Sequence, residues 1–257
     1  GVDSEIVVPD RLAEGYGVTA EAFDHLGAAG CGLCLTLDNG TTAFAAIAHA
    51  TTRGQEVVVV DHHRAEPELP MALAVVNPNR LDQESPLGDL AAVGVTFVLL
   101  VAVNRALRRR GVAGPDPLAW LDLVALGTVC DVVPLTGLNR AFVRQGLKVA
   151  GRAALPGLAA LARAAGIETL DEPWQLGFAL GPRLNAGSRL GEPLLATRLL
   201  TTDDTAEAAA LAARLDGLNR ERQGLERALL AAAEAAVAPQ LQAGRRVLVA
   251  AGRDWHA

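Results

Sequence analysis

Four consecutive valines at 57–60, followed without a spacer by Asp61-His62-His63, constrain this chain more than any other feature. A run of β-branched residues this short reads as a buried strand, because branched side chains suit a pleated surface and a helix needs greater length. An acid and two imidazoles then emerge at the strand's carboxyl end, the edge of an open α/β sheet at which ligands bind. The segment Gly32-Leu33-Cys34-Leu35-Thr36-Leu37 repeats the arrangement and delivers Asp38-Asn39-Gly40. Two strands thus direct carboxylate and imidazole toward one crevice. Oxygen with imidazole nitrogen suits a divalent transition metal such as Mn²⁺ better than a thiolate set would.

Around these segments the pattern alternates. A strand-like stretch at 5–8 leads to a helical one at 19–29, the Asp38 strand, a helix over about 41–53 and the Asp61 strand. That βαβ rhythm predicts an α/β fold with a doubly wound, mainly parallel sheet. A short apolar segment at 73–76 follows, and helices predominate beyond it: 90–110, 117–126, 139–150 and 155–165, with Pro or Gly at their boundaries. From 205 to 241 an Ala-rich stretch carries Leu211, Leu215, Leu218, Leu225 and Leu229 near heptad spacing, opened by Asp203-Asp204 as caps. The pattern fits a helix connecting two domains and an amphipathic helix lying on the core equally well.

Composition narrows the classes. With 257 residues, 51% hydrophobic and 20% charged, the chain is large enough for one big core or two small ones. No apolar run approaches the ~18 residues of a membrane span, and no charged-then-apolar signal opens the chain, so a cytoplasmic protein is expected. Cys31, Cys34 and Cys130 are an odd number, unlike a secreted disulfide framework, and are expected to be free thiols. Cys31-Gly32-Leu33-Cys34 has redox spacing, but it leads into a strand instead of opening a helix and reads as small core residues. A net charge of −6 does not advertise nucleic-acid binding. Acidic metal ligands would lower that count, and bound cations would reverse the sign locally. Arginines cluster at Arg105, Arg108, Arg109 and Arg110 and at Arg220 and Arg222.

Several residues have a plain structural alternative. Asp38-Asn39-Gly40 ahead of a helix fits a turn or cap by itself. Asp131, amid Val129-Cys130 and Val132-Val133, must be paired, exposed or metal-bound, since burying it bare is costly. Adjacent histidines are harder to dismiss, because the chain holds only three others. In 181–189, Arg183, Asn185 and Arg189 within a Gly/Pro-framed turn read as a substrate-binding loop offering donors to phosphate oxygens, while Arg183 serves equally well as the partner of an acid.

Six blocks carry a resemblance. They are Pro9-Asp10-Arg11 with Glu14-Gly15-Tyr16-Gly17; 36–43, Thr-Leu-Asp-Asn-Gly-Thr-Thr-Ala; Asp61-His62-His63; Val76-Asn77-Pro78-Asn79; 123–135, Leu-Val-Ala-Leu-Gly-Thr-Val-Cys-Asp-Val-Val-Pro-Leu; and Gly181-Pro182-Arg183-Leu184-Asn185-Ala186. In this order the chain resembles the DHH phosphoesterase family and, within it, the branch of single-strand-specific 5′→3′ DNA exonucleases. The resemblance implies two Mn²⁺ or Mg²⁺ ions bridged by Asp38, with His62 and Asp131 as further ligands. It implies that His63 faces the substrate phosphate, that Asp61 orients the histidines, and that Arg183, Asn185 and Arg189 lie near the nucleic acid. Single-stranded DNA is the implied partner, in repair and recombination, with a single-strand-binding protein or a helicase beside it.

The chain is expected to be a piece of a longer protein. It opens at Gly1 without an initiator Met and stops soon after 245–251, which reads as the first strand of something new. By resemblance an Asp-rich metal-binding block precedes it and a DHH-associated domain follows, so the isolated piece is expected to be inactive. The expected division is a DHH domain at 1–200, a connector helix at 201–242 and the start of the next domain at 243–257. The alternatives are another DHH phosphoesterase, cleaving short oligoribonucleotides, cyclic dinucleotides or pyrophosphate, and a non-catalytic protein that binds DNA or a partner.

Overall fold

A computed structural model describes residues 3–9, 15, 17–152, 155–252 and 255. Most of the first block, Asp10, Arg11, Glu14 and Tyr16 included, therefore lies outside the described residues, as do Gly1, Asp254 and His256.

Three parallel strands, β1 (Leu33–Leu37), β2 (Glu56–Val60) and β3 (Ala74–Val76), lie side by side in that order. Helix α1 (Ala20–Ala28), capped by the Thr19 hydroxyl, precedes β1, and α2 (Phe44–Thr52) crosses from β1 to β2. The valines of β2 serve both faces of the sheet. Val57 and Val59 pack with Cys34, Val75, Phe23, Ile47 and Ala50 under α1 and α2. Val58, Val60 and Val76 face the other way, against Leu90, Val95, Phe97, Val124 and Phe142. The sheet is thus doubly wound, as the continuous valine run predicts.

On that second face lie α3 (Ala92–Arg109), α4 (Leu121–Cys130) and α5 (Gly137–Ala150), with Phe97 and Phe142 edge to face at 5.1 Å. A short 3₁₀ turn, Pro117–Trp120, leads into α4. Helices α4 and α5 approach closely because residue 146 is glycine; a Cβ there would lie 2.1 Å from the Leu121 carbonyl oxygen. A second core gathers α6 (Pro156–Ala164), α7 (Gly181–Arg189), α8 (Leu195–Thr201) and α9 (Thr205–Gln242) around Leu161, Leu176, Leu180, Leu199 and Leu215.

Helix α9 runs for 38 residues and changes character along its length. Asp204 caps it, accepting from the amides of Ala206 and Glu207. Its first half is amphipathic and buries Ala208, Leu211, Ala212, Leu215 and Leu218. Its second half stands clear, with Leu225 and Leu230 more than half exposed. Among the described residues no helix is long and apolar enough to cross a membrane.

Four expectations need correction. Residues 5–8 form no strand: Glu5 turns outward to the imidazole of His25 at 2.6 Å, and among the described residues the segment joins no sheet. Residues 245–251 form none either; Gln240 bonds both the amide and the carbonyl of Val249, taking the part a neighbouring strand would play. Strand β1 is buried on one side only, since Leu33, Leu35 and Leu37 are about half exposed along the sheet's edge. Finally, 181–189 is a helix and not a loop. Pro182 sits in its first turn, where a missing N–H is harmless, and a π-helical turn, Gln175–Leu180, runs straight into it.

Candidate metal centre

The strand register builds the site. Leu37 is opposite Val60, and Val60 opposite Val76, so all three strands end flush and the next residues, Asp38, Asp61 and Asn77, stand in a row. The ladder continues one step beyond, through Asp38 N–H to Val60 O at 3.0 Å and Asp61 N–H to Val76 O at 3.1 Å. At Asp38 the backbone turns left-handed, with φ 65°. Gly40 must be glycine: its φ is 107° and a Cβ would lie 2.5 Å from Thr36 Oγ1. Asp38 does not cap α2, whose cap position is Ala43 with no side-chain bond to the helix. The carboxylate points instead at His62.

His62 is held by Nδ1, which donates to the Leu90 carbonyl at 2.9 Å. With that tautomer Nε2 carries the lone pair. It lies 3.3 Å from Asp38 Oδ1 and 3.4 Å from Asp131 Oδ2, and it has no hydrogen-bond partner despite its burial. Charge is unbalanced here. The Asp38 carboxylate raises the pKa of His62 against the opposing effect of burial, and Asp131 adds to the rise. Burial in turn raises Asp131, with His62 pulling it down and Asp38 pushing it up. Two carboxylate oxygens converging on an orphaned imidazole nitrogen suit a divalent cation, which would relieve all three at once. The donor set of Asp38, His62 and Asp131 therefore fits a metal ion.

His63 belongs to the same cluster, its ring edge-on to His62 at 4.7 Å. Ligand atoms of Asp38, His62 and His63 all lie within 4.8 Å of one another. The carboxylate of Asp61, 1% exposed, fixes its orientation. One oxygen accepts from His63 Nδ1 at 2.7 Å and from the amides of His62 and His63; the other accepts from the Thr41 amide. Burial alone would raise this carboxyl, but the bonds from His63 and Thr41 outweigh it and hold the pKa at about 2. Asp61 is consumed by these bonds and orients the imidazole, as a carboxylate behind a functional histidine commonly does.

Two residues of the block at 76–79, given no role by the sequence, hold the site together. Asn77, buried at the end of β3, donates to His63 O at 2.8 Å and to Thr41 Oγ1 at 2.9 Å. Asn79 donates to His62 O at 2.6 Å and Gly88 O at 3.0 Å, and its amide donates to Asn77 Oδ1. The backbone of both histidines is thus tied to β3 and the loop beyond it. Cys130, beside Asp131, is no thiolate candidate: burial and that neighbouring charge push its thiol up to about 11. Cys31, Cys34 and Cys130 are all free.

The proposed substrate-contacting residues lie on α7. Asn185 and Arg189 are exposed there, and Asn185 O accepts from the Ser188 hydroxyl. Arg183 is engaged elsewhere: its Nε donates to Asp216 Oδ1 on α9 at 2.9 Å and its Nη1 to Ala179 O at 2.7 Å. Asp216 is 4% exposed and also receives Arg220. Arg183→Ala is expected to cost ~2 kcal/mol of stability, less than for a fully stranded buried charge because Arg220 remains. Thermal unfolding measures it; an unchanged midpoint would return Arg183 to substrate binding.

Residues 1–128 match the DHH family, N-terminal domain, and the chain belongs to the DHH family. Within it the similarity is to RecJ. The chain is 44% identical over 239 residues to the single-stranded-DNA-specific exonuclease RecJ of Salmonella typhimurium, covering 88% of this chain and 41% of that protein. It matches a crystal structure of exonuclease RecJ bound to manganese with a TM-score of 0.77 and 43% identity, over 87% of this chain and 55% of that one. A crystal structure of RecJ from Thermus thermophilus in complex with Mn²⁺ gives 0.71 and 42%, over 82% of this chain and 31% of the other. The chain thus spans about two-fifths of the length of the curated relative, and its similarity to RecJ runs through most of its own length.

Proposed function

We propose that this chain carries part of the metal centre of a 5′→3′ exonuclease that hydrolyses phosphodiester bonds of single-stranded DNA in repair and recombination. The observation that carries this reading is the orphaned Nε2 of His62 between Asp38 and Asp131, in a chain similar to RecJ proteins of that named specificity. Asp38, His62 and Asp131 would hold Mn²⁺ or Mg²⁺. Bound metal supplies a water acidic enough to attack near neutral pH and neutralises charge on the phosphate oxygens.

The chain's own groups position and balance charge. With Nδ1 engaged by Asp61, only Nε2 of His63 is left to meet a phosphate oxygen. The Asp61 carboxylate stands behind that ring, on the side away from the phosphate. Asn77 and Asn79 hold the backbone of the two histidines, and the Thr41 amide holds the Asp61 carboxylate behind His63. Asn185 and Arg189 are assigned to the nucleic-acid path. A cytoplasmic setting, a single-strand-binding protein or helicase as partner, and a division at about 200 and 242 into DHH domain, connector and following domain complete the proposal.

The roles differ in a measurable way. His63→Ala is expected to lower turnover about 100-fold while leaving Mn²⁺ affinity nearly intact, whereas Asp38→Ala lowers both. Isothermal titration with Mn²⁺ beside steady-state kinetics separates the two, and equal metal loss in both variants would overturn the division.

The direct test is Mn²⁺-dependent nucleotide release from 5′-labelled and 3′-labelled single-stranded DNA by the protein in its natural length. Release from the 5′ end supports the proposal. Hydrolysis of pyrophosphate or short RNA alone would move the protein to a sister DHH activity, and hydrolysis of none would favour a binding role.

A further inference from the structure

We infer that Asn139 is a positioning residue for the metal centre, fixing Asp131 relative to His62 through the backbone of 88–90. The inference rests on the proposed role of both residues as metal ligands. Asn139 lies in the first turn of α5 and is 2% exposed. Its side-chain amide donates to Asp89 O at 2.7 Å and to Pro134 O at 3.0 Å. One nitrogen thus joins two segments from different parts of the chain, and each segment has a hold on one of the two ligands.

The first segment is a strap, Gly88-Asp89-Leu90, whose three successive carbonyls each accept from a side chain. Asn79 donates to Gly88 O at 3.0 Å, Asn139 to Asp89 O, and His62 Nδ1 to Leu90 O at 2.9 Å. Because Asn79 also donates to His62 O, the strap holds His62 by its ring and by its backbone. The strap is itself fixed. Leu90 is buried in the core with Val60, Val124 and Phe142, and a Cβ on Gly88 would lie 2.7 Å from Asn79 Oδ1.

The second segment is the turn from α4 to α5, which begins at Asp131. On its upstream side Asp131 is held by α4, its amide donating to Gly127 O at 3.0 Å. Downstream the chain turns through Val132, whose φ of 60° is left-handed, and is caught again by Asn139 at Pro134 O. Asp131 therefore stands between two anchors. The second is shared with the strap that holds His62.

His62 and Asp131 need such a device because they come from different layers, the end of β2 and the end of α4. Their Nε2 and Oδ2 atoms stand 3.4 Å apart, and no hydrogen bond to Nε2 holds them there. A metal ion takes its donors at nearly fixed distances, so groups behind the ligands must set the spacing. Asn139 does this at a cost, since its buried Oδ1 has no partner. An apolar residue of like size would avoid the orphaned acceptor but leave Asp89 O and Pro134 O unjoined. The two N–H donors of the amide are what the site uses.

The test is calorimetric titration of Mn²⁺ into the natural-length protein and into Asn139→Leu, Asp131→Asn and the two combined, with Mn²⁺ carried into the millimolar range so that weakened sites are still read. Asn139→Leu keeps the size and removes both donors. It is expected to bind Mn²⁺ on the order of tenfold more weakly than the wild type. In the Asp131→Asn background the same change should cost less than about twofold, because no ligand is left there to misplace. Equal losses in both backgrounds would mean general loosening and would overturn the inference. Wild-type affinity in Asn139→Leu or in Asp131→Asn would do the same. Should the unfolding curve show that Asn139→Leu does not fold, Asn139→Ser, which keeps one donor, takes its place in the cycle and is read by the same outcomes. In each of these cases Mn²⁺ binding by the wild type leaves the proposed metal centre standing. A wild type that binds no Mn²⁺ would fell the proposed function, and this inference with it.

Discussion

Turnover of single-stranded DNA is expected to fall about 1000-fold or more in His62→Asn, the equivalent of ~4 kcal/mol of lost transition-state stabilisation. Asn is chosen because its amide can still donate to Leu90 O in place of Nδ1, while nothing replaces Nε2. The fold should survive and the metal should not stay. Mn²⁺ titration monitored by calorimetry, beside an unfolding curve, checks both halves. Undiminished Mn²⁺ affinity would remove His62 from the ligand set, and a collapsed unfolding transition would show that its structural bond is the larger contribution.

Asp61→Asn is expected to be the most destabilising change at the site. Four N–H groups converge on that carboxylate, and an amide must turn its own NH₂ toward some of them. A loss of ~3 kcal/mol is expected, or about 8 °C in the unfolding midpoint for a chain of this size, with activity down ~10- to 100-fold as the imidazoles lose orientation. Acid dependence gives a sharper signature. The folded pKa of about 2 lies below the ordinary 3.8, so Asp61 contributes stability that is fully present above the unfolded value and lost as pH falls toward 2. The wild type should therefore lose ~2 kcal/mol more than Asp61→Asn between pH 5 and pH 2. Parallel acid limbs for the two proteins would mean that the carboxylate is not held as described.

Much of the architecture is legible without coordinates, for physical reasons that also mark the failures. A β-branched run such as 57–60 has few alternatives to a strand buried on both faces, and helices bounded by Pro or Gly have their ends written in them. Residues 5–8 and 245–251 have the same local preference, but a strand needs a partner, and among the described residues Glu5 and Val249 bond to side chains instead. Residues 181–189 mislead because Gly-Pro marks a turn in most settings and a helix start when a turn of helix precedes it. At the site, Asp38, His62, His63 and Asp131 stand together, a grouping that the resemblance implies and that residue type alone left open for Asp38, which fits a cap, and for Asp131, which fits an ion pair. Asn77 and Asn79 could not be assigned a part, since their use depends on β2 and β3 ending level, a register no local pattern states. Arg183 illustrates the same limit: its acid lies 33 residues away on another helix.

That ion pair bears on more than stability. Asp216 sits where α9 leaves the protein body, and about 40 Å of helix extends beyond it to Gln242. A cantilever converts small angular errors at its root into large displacements at its tip; about 5° at Asp216 becomes ~3 Å at Gln242. The Arg183–Asp216 pair, which crosses from α7 to α9 at a buried point, therefore bears on how accurately the far end of α9 is aimed relative to the strand edge where Asp38, His62 and Asp131 converge.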